Sequence, residues 1–347
     1  MSKLVSIIIP FKDEEKYLQK CLNSVTSQTY NNIEIILVDG MSQDNSAKIA
    51  TNFVALHPNI YIYENQKLNS AAGLNIGIKK SRGEIVIILG AHSEVFPDYV
   101  SKSVDLLEKT EAVVVGGVLN TMGNGYFGEI IAVVLSSAFG TGSKFRFKHS
   151  PQFVDTVPFG AYRASIFKEI GLFNEDIPRC EDLELNHRII NAGGKIYIHP
   201  DIKATYYCRR KLTGFMKQSY GNGYDIVRAF LQNRNAVSIR HLVPFVFLFS
   251  IIILLATSCL WRISKILLIS VVSVYILSSI FFSIKLSFHY KIKYLPCLPV
   301  VFAILHLSYG VGSFVSFIKS FRREILTKLL SFYLFASFAL WSFRTHI

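Results

Sequence analysis

Three places in the chain set chemically capable side chains beside an apolar pattern. The aliphatic block Ile35-Ile36-Leu37-Val38 stops abruptly on Asp39, with Gly40 to turn the chain. In an open α/β sheet the carboxyl ends of the strands form the ligand crevice, so Asp39 stands where a ligand would sit. An aspartate there could equally bond only its own turn. The block Glu84–Leu89 closes on Gly90-Ala91-His92-Ser93-Glu94, a second strand end of the same kind. His92 could ligate a metal through its imidazole, with Ser93 or Glu94 assisting, or it could simply pack. The third place is Glu181-Asp182 with Glu184, at the start of a helical pattern. Carboxylates in a first helical turn are also favoured by the helix dipole alone.

These groups need elements to hold them, and the chain supplies an alternation. Val5–Pro10 reads as a strand, and from about Glu14 to Ser27 the residues Leu18, Cys21, Leu22 and Val25 share one helical face. The strand ending at Asp39 is followed by a helix from about Asn45 to Phe53, which Ser42 or Asp44 can cap. Ile60–Tyr63, Glu84–Leu89 and Ala112–Val118 read as strands, Asn69–Lys80 and Pro97–Lys109 as helices. The succession is that of an α/β fold with a doubly wound, mostly parallel sheet. Gly73 and Gly77 inside a helix imply that something, a ligand or the sheet, comes close to its backbone. From Asn120 to about Phe153 the sequence is Gly-rich and aromatic, without a clear period. Beyond it Val154–Ala161 reads as a strand, Arg163–Ile170 as a short helix, Glu181–Ala192 as a helix and Lys195–His199 as a last strand. Leu212–Leu231 is amphipathic, aromatic and basic, suited to a membrane surface.

Charges are frequent up to about Arg240 and sparse after it, so residues 1–240 read as one domain and 241–320 as a membrane domain. Residues 242–261, 266–284 and 295–318 approach or exceed the ~20 apolar residues that cross a bilayer. Residues 321–347 form a basic tail, in which 329–343 is either a fourth span or an interfacial helix. Met1–Phe11 soon meets Lys12-Asp13-Glu14-Glu15, which suits a strand and not a secretory signal. Arg209, Arg210, Lys211, Lys217, Arg228, Arg234 and Arg240 precede the first span. The positive-inside rule then puts the first domain in the cytoplasm and the chain in the inner (plasma) membrane as a multi-pass protein. The net charge of +13 gathers near the apolar runs, which points to anionic headgroups and away from nucleic acid. Five scattered cysteines lack paired ligand spacing, as expected of a reducing compartment without a zinc site.

Several motifs follow one another in a telling order. They are Val5-Ser6-Ile7-Ile8-Ile9-Pro10, Glu34-Ile35-Ile36-Leu37-Val38-Asp39-Gly40 and Gly73-Leu74-Asn75-Ile76-Gly77, then Gly171-Leu172-Phe173-Asn174-Glu175, Glu181-Asp182-Leu183-Glu184-Leu185 with Arg188, and Gly193-Gly194-Lys195-Ile196. Over about residues 4–225 this order resembles the family 2 glycosyltransferases of the GT-A fold. Ala91-His92, Pro97-Asp98-Tyr99-Val100, Arg209, Gln218 and Tyr220-Gly221, with the apolar runs behind them, are similar more narrowly to membrane-bound glucosyltransferases of succinoglycan-type exopolysaccharide assembly.

The resemblance implies inverting transfer of a sugar from a nucleotide-diphosphate donor, a UDP-sugar, to a lipid-linked saccharide in exopolysaccharide, capsule or O-antigen assembly. It implies that Pro10 shapes the base-binding loop, that Asp39 binds the uracil or ribose, and that Asp182 is the general base beside Glu181. His92, Arg209, Gln218 and Tyr220 would lie near the donor diphosphate or the acceptor. A divalent cation, Mn²⁺ or Mg²⁺, would neutralise the leaving diphosphate, with His92 as a ligand. The chain departs from the pattern at Gly90, where the family carries an aspartate, and lacks the Arg-Trp ending of processive synthases, which favours single additions. The missing aspartate also suggests a second reading, a nucleotide-sugar-binding or scaffold protein within a polysaccharide assembly complex.

Overall fold

The aliphatic blocks of the first part of the chain lie side by side in one sheet. A computed structural model describes residues 2–142, 144–147, 150–177, 179–232 and 237–344, with 144, 147 and 323–344 as backbone only. β1 (Val5–Phe11), β2 (Ile33–Asp39), β3 (Ile60–Glu64) and β4 (Ile85–Ile88) run parallel in the order β3-β2-β1-β4. Their crossovers are α1 (Leu18–Thr26), α2 (Ser46–Leu56) and α3 (Ser70–Lys80). Successive side chains of a strand face opposite ways, so Ile7, Ile9, Ile35 and Leu37 pack with Leu18, Cys21 and Leu22 of α1. Ile8, Ile36 and Val38 take the other face with Leu74 and Ile78 of α3. Full burial of each aliphatic side chain contributes roughly 1.5–3 kcal/mol. The glycines of α3 serve this packing: a Cβ on Gly77 would lie 2.3 Å from Ile8 Cγ2.

The other half of the sheet is mixed. After β5 (Ser93–Val95), α4 (Tyr99–Lys109) and β6 (Ala112–Met122) come α5 (Gly125–Leu135), α6 (Lys144–Phe147), β7 (Gln152–Phe153), β8 (Ala161–Arg163), α7 (Ile166–Glu169), α8 (Glu181–Asn191) and β9 (Lys195–Tyr207). The order continues β4-β8-β6-β9-β5. β8 is antiparallel to both its neighbours, β5 and β7 are antiparallel to β9, and β6 and β9 are parallel. Val154–Ala161 is therefore not the expected strand. Pro158 and Gly160 interrupt it, Phe159 between them sits at φ +49°, and regular pairing begins only at Ala161. β9 runs on past His199, because the register jumps from Gly117↔His199 to Val118↔Lys203. The bulged residues pass over Gly117, where a Cβ would lie 1.8 Å from the Ile202 carbonyl.

Past the sheet the chain is helical: α9 (Leu212–Gln232), α10 (Ile239–Thr257), α11 (Arg262–His289), a short turn at Ile292–Tyr294, and α12 (Leu298–Arg344). Ile239–Thr257, Arg262–His289 and Leu298–Arg322 are long and apolar enough to cross a membrane, and they coincide with the three stretches expected from sequence. The side chains of 329–343 lie outside the described residues. α9 packs along α12, with Phe215, Ser219, Gly223 and Ile226 buried, where the sequence suggested a helix lying on the membrane surface.

Candidate functional site

Two loops meet over the carboxyl ends of β1 and β2 and are laced together. Asp13 Oδ1 accepts from Gln43 N at 2.8 Å, Asp44 Oδ2 from Glu15 N at 3.1 Å, and Ser46 Oγ from Glu14 N at 2.8 Å. Asp39 is buried at the end of β2, level with Phe11 of β1. Its Oδ1 accepts from Ser42 Oγ at 2.6 Å and Ser42 N at 3.0 Å, so this carboxylate closes its own turn while standing at the crevice. Pro10 precedes it in the same layer, 3.3 Å from where a Gly73 Cβ would sit on α3.

His92 follows β4, and its Nδ1 lies 3.0 Å from Glu14 Oε1. A proton on Nδ1 held by that carboxylate leaves Nε2 as the nitrogen able to bind a ligand. His92, Glu14 and Asp44 line a cavity of about 480 Å³ together with Lys16, Lys20, Arg209 and Arg210. These four cations form no ion pair within 4.0 Å among the described residues, and Lys20 Nζ stands 5.2 Å from the Tyr207 ring centroid. Such a wall suits a diphosphate. A Cβ on Gly90 would meet Phe159 Cε1 at 3.3 Å and come within 4.0 Å of His92 Cε1.

No group of three His, Cys, Asp or Glu able to hold a metal occurs among the described residues. Mg²⁺ is usually held by one or two carboxylates, with water and substrate phosphates completing the shell. His92, oriented by Glu14, offers one nitrogen ligand to such a shell and does not make a protein-only cage.

Glu181 and Asp182 open α8, directly after Cys180, which adopts φ +63°. A left-handed conformation at a residue with a Cβ costs about 1–2 kcal/mol. The helix is clamped in place from its other end. Arg188 pairs with Glu184 at 2.8 Å and donates to the Ile170 and Leu172 carbonyls, both at 2.6 Å. The glycine-flanked Asn75 of α3 bonds Phe173 O at 2.9 Å and Glu175 Oε1 at 3.0 Å, tying two motifs distant in sequence.

Asp182 is exposed and lines a cavity of about 260 Å³ walled by Arg146, Gln218, Arg240, His241 and, from the apolar helices, Pro244, Leu305, His306 and Tyr309. Burial beneath the surrounding protein raises the Asp182 pKa. Burial, and then the charge of Asp182, push Glu181 up to about 7.

Neither of these two cavities is lined by all of Asp39, His92 and Asp182. His92 and Asp182 line neighbouring cavities, while Asp39 lines neither. Tyr206, near the end of β9, stands between them. Its ring lies edge-on to His92 at 5.1 Å, and its hydroxyl accepts from Gln218 Nε2 at 3.2 Å on the Asp182 side. Arg209 falls with His92, and Gln218 with Asp182. Tyr220 lines neither cavity: its ring stacks on Tyr224, and its carbonyl abuts Gly312 of α12. His306 packs between elements, with Nε2 donating to the Phe139 carbonyl at 3.0 Å and Nδ1 accepting from Tyr275 at 3.1 Å.

Sequence reasoning passed over Glu14, Arg146, Tyr206 and His241. Only Glu14 gave a signal, as part of the acidic run behind Pro10.

Comparison with known proteins gives consistent findings. The model for glycosyl transferase family 2 matches residues 6–171, a range that includes Pro10, Asp39 and His92 and stops short of Asp182. The dolichyl N-acetyl-α-D-glucosaminyl phosphate 3-β-D-2,3-diacetamido-2,3-dideoxy-β-D-glucuronosyltransferase of Methanococcus voltae is 30% identical over 91% of this chain and 97% of its own. Succinoglycan biosynthesis protein ExoA of Rhizobium meliloti is 24% identical over 92% of this chain and 96% of its own. Among solved structures, the mannosyltransferase PcManGT of Pyrobaculum calidifontis, in complex with GDP-Man and Mn²⁺, superposes with a TM-score of 0.62 at 15% identity, covering 90% of this chain and 88% of that one. That likeness is one of fold, and it is the GT-A fold. With a relative at 30% identity along nearly its whole length, the chain belongs to the family 2 glycosyltransferases.

Proposed function

We propose that the protein is an inverting, membrane-anchored glycosyltransferase that moves a sugar from a UDP-sugar to a lipid-linked saccharide, in exopolysaccharide, capsule or O-antigen assembly. Residues 1–240 form the cytoplasmic catalytic domain, and the helices behind them anchor it in the inner membrane. The observation that carries this reading is the position of Asp182: a carboxylate facing a cavity whose far wall is made by helices able to cross a membrane. A hydroxyl on a lipid carrier could reach that carboxylate without leaving the bilayer. The Methanococcus voltae relative, whose name gives a dolichyl-linked sugar phosphate as acceptor, supports it.

In this mechanism Lys16, Lys20, Arg209 and Arg210 bind the donor diphosphate, and the loops laced around Asp39 and Pro10 take the nucleoside. Asp182 accepts the proton of the attacking hydroxyl. Its raised pKa brings it toward the operating pH, where a base is most effective. His92, oriented by Glu14, would hold a divalent cation, which would supply positive charge to the leaving diphosphate. Gln218, through Tyr206, fixes the partition between the two cavities.

The test is to incubate membranes bearing the protein with a panel of labelled nucleotide sugars, with and without Mn²⁺, and to extract the lipid products. One labelled lipid from one donor supports the reading. The second reading, a nucleotide-sugar-binding scaffold, is favoured by Gly90 and predicts donor binding with no labelled lipid under any divalent ion.

A further inference from the structure

Among the described residues Arg146 is a half-buried cation without a counter-charge. It lines the Asp182 cavity on one side and a second cavity of about 430 Å³, between β6, α5 and the turn at 290–294, on the other. Its guanidinium donates to Thr121 Oγ1 and stacks over the rings of Tyr206 at 5.1 Å and Phe145 at 5.4 Å. No carboxylate pairs with it among the described residues. Arg240, which shares the Asp182 cavity, is neutralised by Asp155 at 2.8 Å. Burial lowers the Arg146 pKa, and no carboxylate is among the influences that raise it. A guanidinium remains charged all the same. Enclosed charges are kept in proteins when paired or bonded to something anionic, and two aromatic faces offset only part of that cost.

The same cavity holds two further unanswered groups. Gln218 Oε1 and His241 Nδ1 are buried without a hydrogen-bond partner among the described residues. An oxygen seeking a donor, a ring nitrogen, a base and a cation together match a sugar ring with a phosphate attached. The donor diphosphate is already provided for elsewhere, by the four cations around His92.

Resting on the transferase reading, we propose that Arg146 binds the phosphate or diphosphate by which the acceptor sugar is joined to its lipid, with Gln218 and His241 reading ring hydroxyls between that phosphate and Asp182. The phosphoester then sits in the wall shared with the apolar helices, and the reacting hydroxyl faces the base.

The experiment uses the full chain in lipid nanodiscs. Binding of farnesyl diphosphate, UDP and GDP is measured for the parent and for Arg146→Gln and Arg146→Lys, together with KM for the extracted lipid acceptor. Loss of one charge-assisted bond to a phosphate corresponds to roughly 10–100-fold. Arg146→Gln is expected to weaken farnesyl diphosphate binding and raise the acceptor KM by that factor, to leave nucleotide binding within about two-fold, and to be largely rescued in Arg146→Lys. Retained nucleotide binding shows that the variant is folded. Weakened nucleotide binding with unchanged farnesyl diphosphate binding would assign Arg146 to the donor and overturn the proposal, as would no change in either. A parent protein that binds nucleotide but transfers no sugar would overturn the transferase reading instead.

Discussion

His92 Nδ1 and Glu14 Oε1 lie 3.0 Å apart, which ties the end of β4 to the loop behind β1. The bond fixes the imidazole and leaves Nε2 as the nitrogen able to bind a ligand. Glu14→Gln keeps the shape and removes the charge that orders the ring. Loss of such a supporting carboxylate typically costs 10–100-fold in metal affinity or activity. Transfer assayed against Mn²⁺ concentration should show an apparent affinity lower by roughly that factor, and an unshifted curve would separate Glu14 from the cation.

Gly90 is open to substitution, since a Cβ meets only the edge of the Phe159 ring at 3.3 Å and the backbone is not left-handed. Gly90→Asp adds an oxygen beside His92, and hard divalent cations favour oxygen ligands. Half-maximal transfer should need several-fold less Mn²⁺ than in the parent chain. If the variant needs as much metal, or more, Gly90 does not stand at the metal position.

Asp182→Asn removes the proposed base without changing volume. Transfer should fall by about 10²–10⁴-fold, while nucleotide binding, measured by calorimetry, stays within a few-fold. Undiminished transfer would move the base elsewhere.

The pH dependence of stability has a definite sign. Glu181 sits at about 7 in the fold against an ordinary 4.5, so between those values the folded chain holds the extra proton. Its contribution is fully present below 4.5 and is lost as pH rises through about 7. The raised Asp182 acts in the same direction. The thermal midpoint in detergent should therefore decline across that window, and Glu181→Gln should flatten the decline. An equal slope in the variant would place the titration at another group.

The parallel half of the sheet was readable because each strand there is an unbroken aliphatic block and each crossover has a helical face. Beyond Asn120 those signals fail for physical reasons. β5 has only three residues, too few to show alternation, and β9 looks finished at Pro200 because its continuation depends on a bulge over Gly117 on another strand. Asp39, His92 and Asp182 could be singled out because each borders a recognisable element. Arg146 lies in a four-residue helix too short to show a period, and its meaning comes entirely from its neighbours across space. The partition at Tyr206 was invisible for the same reason, since a tyrosine near a strand end is ordinary until its neighbours across space are known.

α9 and α12 cross at glycines. A Cβ on Gly223 would lie 2.0 Å from the Tyr309 carbonyl, and one on Gly312 would lie 2.0 Å from the Tyr220 carbonyl. Gly223→Ala forces the backbones apart, at a cost typical of overpacking, about 1–3 kcal/mol. Chemical unfolding in detergent should show that loss, accompanied by reduced transfer. A variant as stable as the parent would mean that the crossing tolerates a gap.

That crossing leaves no slack between α9 and the apolar α12. Asp182 then stands, if the transferase proposal holds, at a set height relative to the lipid, like a fixed gauge. Under the proposed reading the enzyme measures its acceptor: a glycan whose free end stops level with Asp182 is extended once, and the product, now one ring taller, no longer fits beneath it.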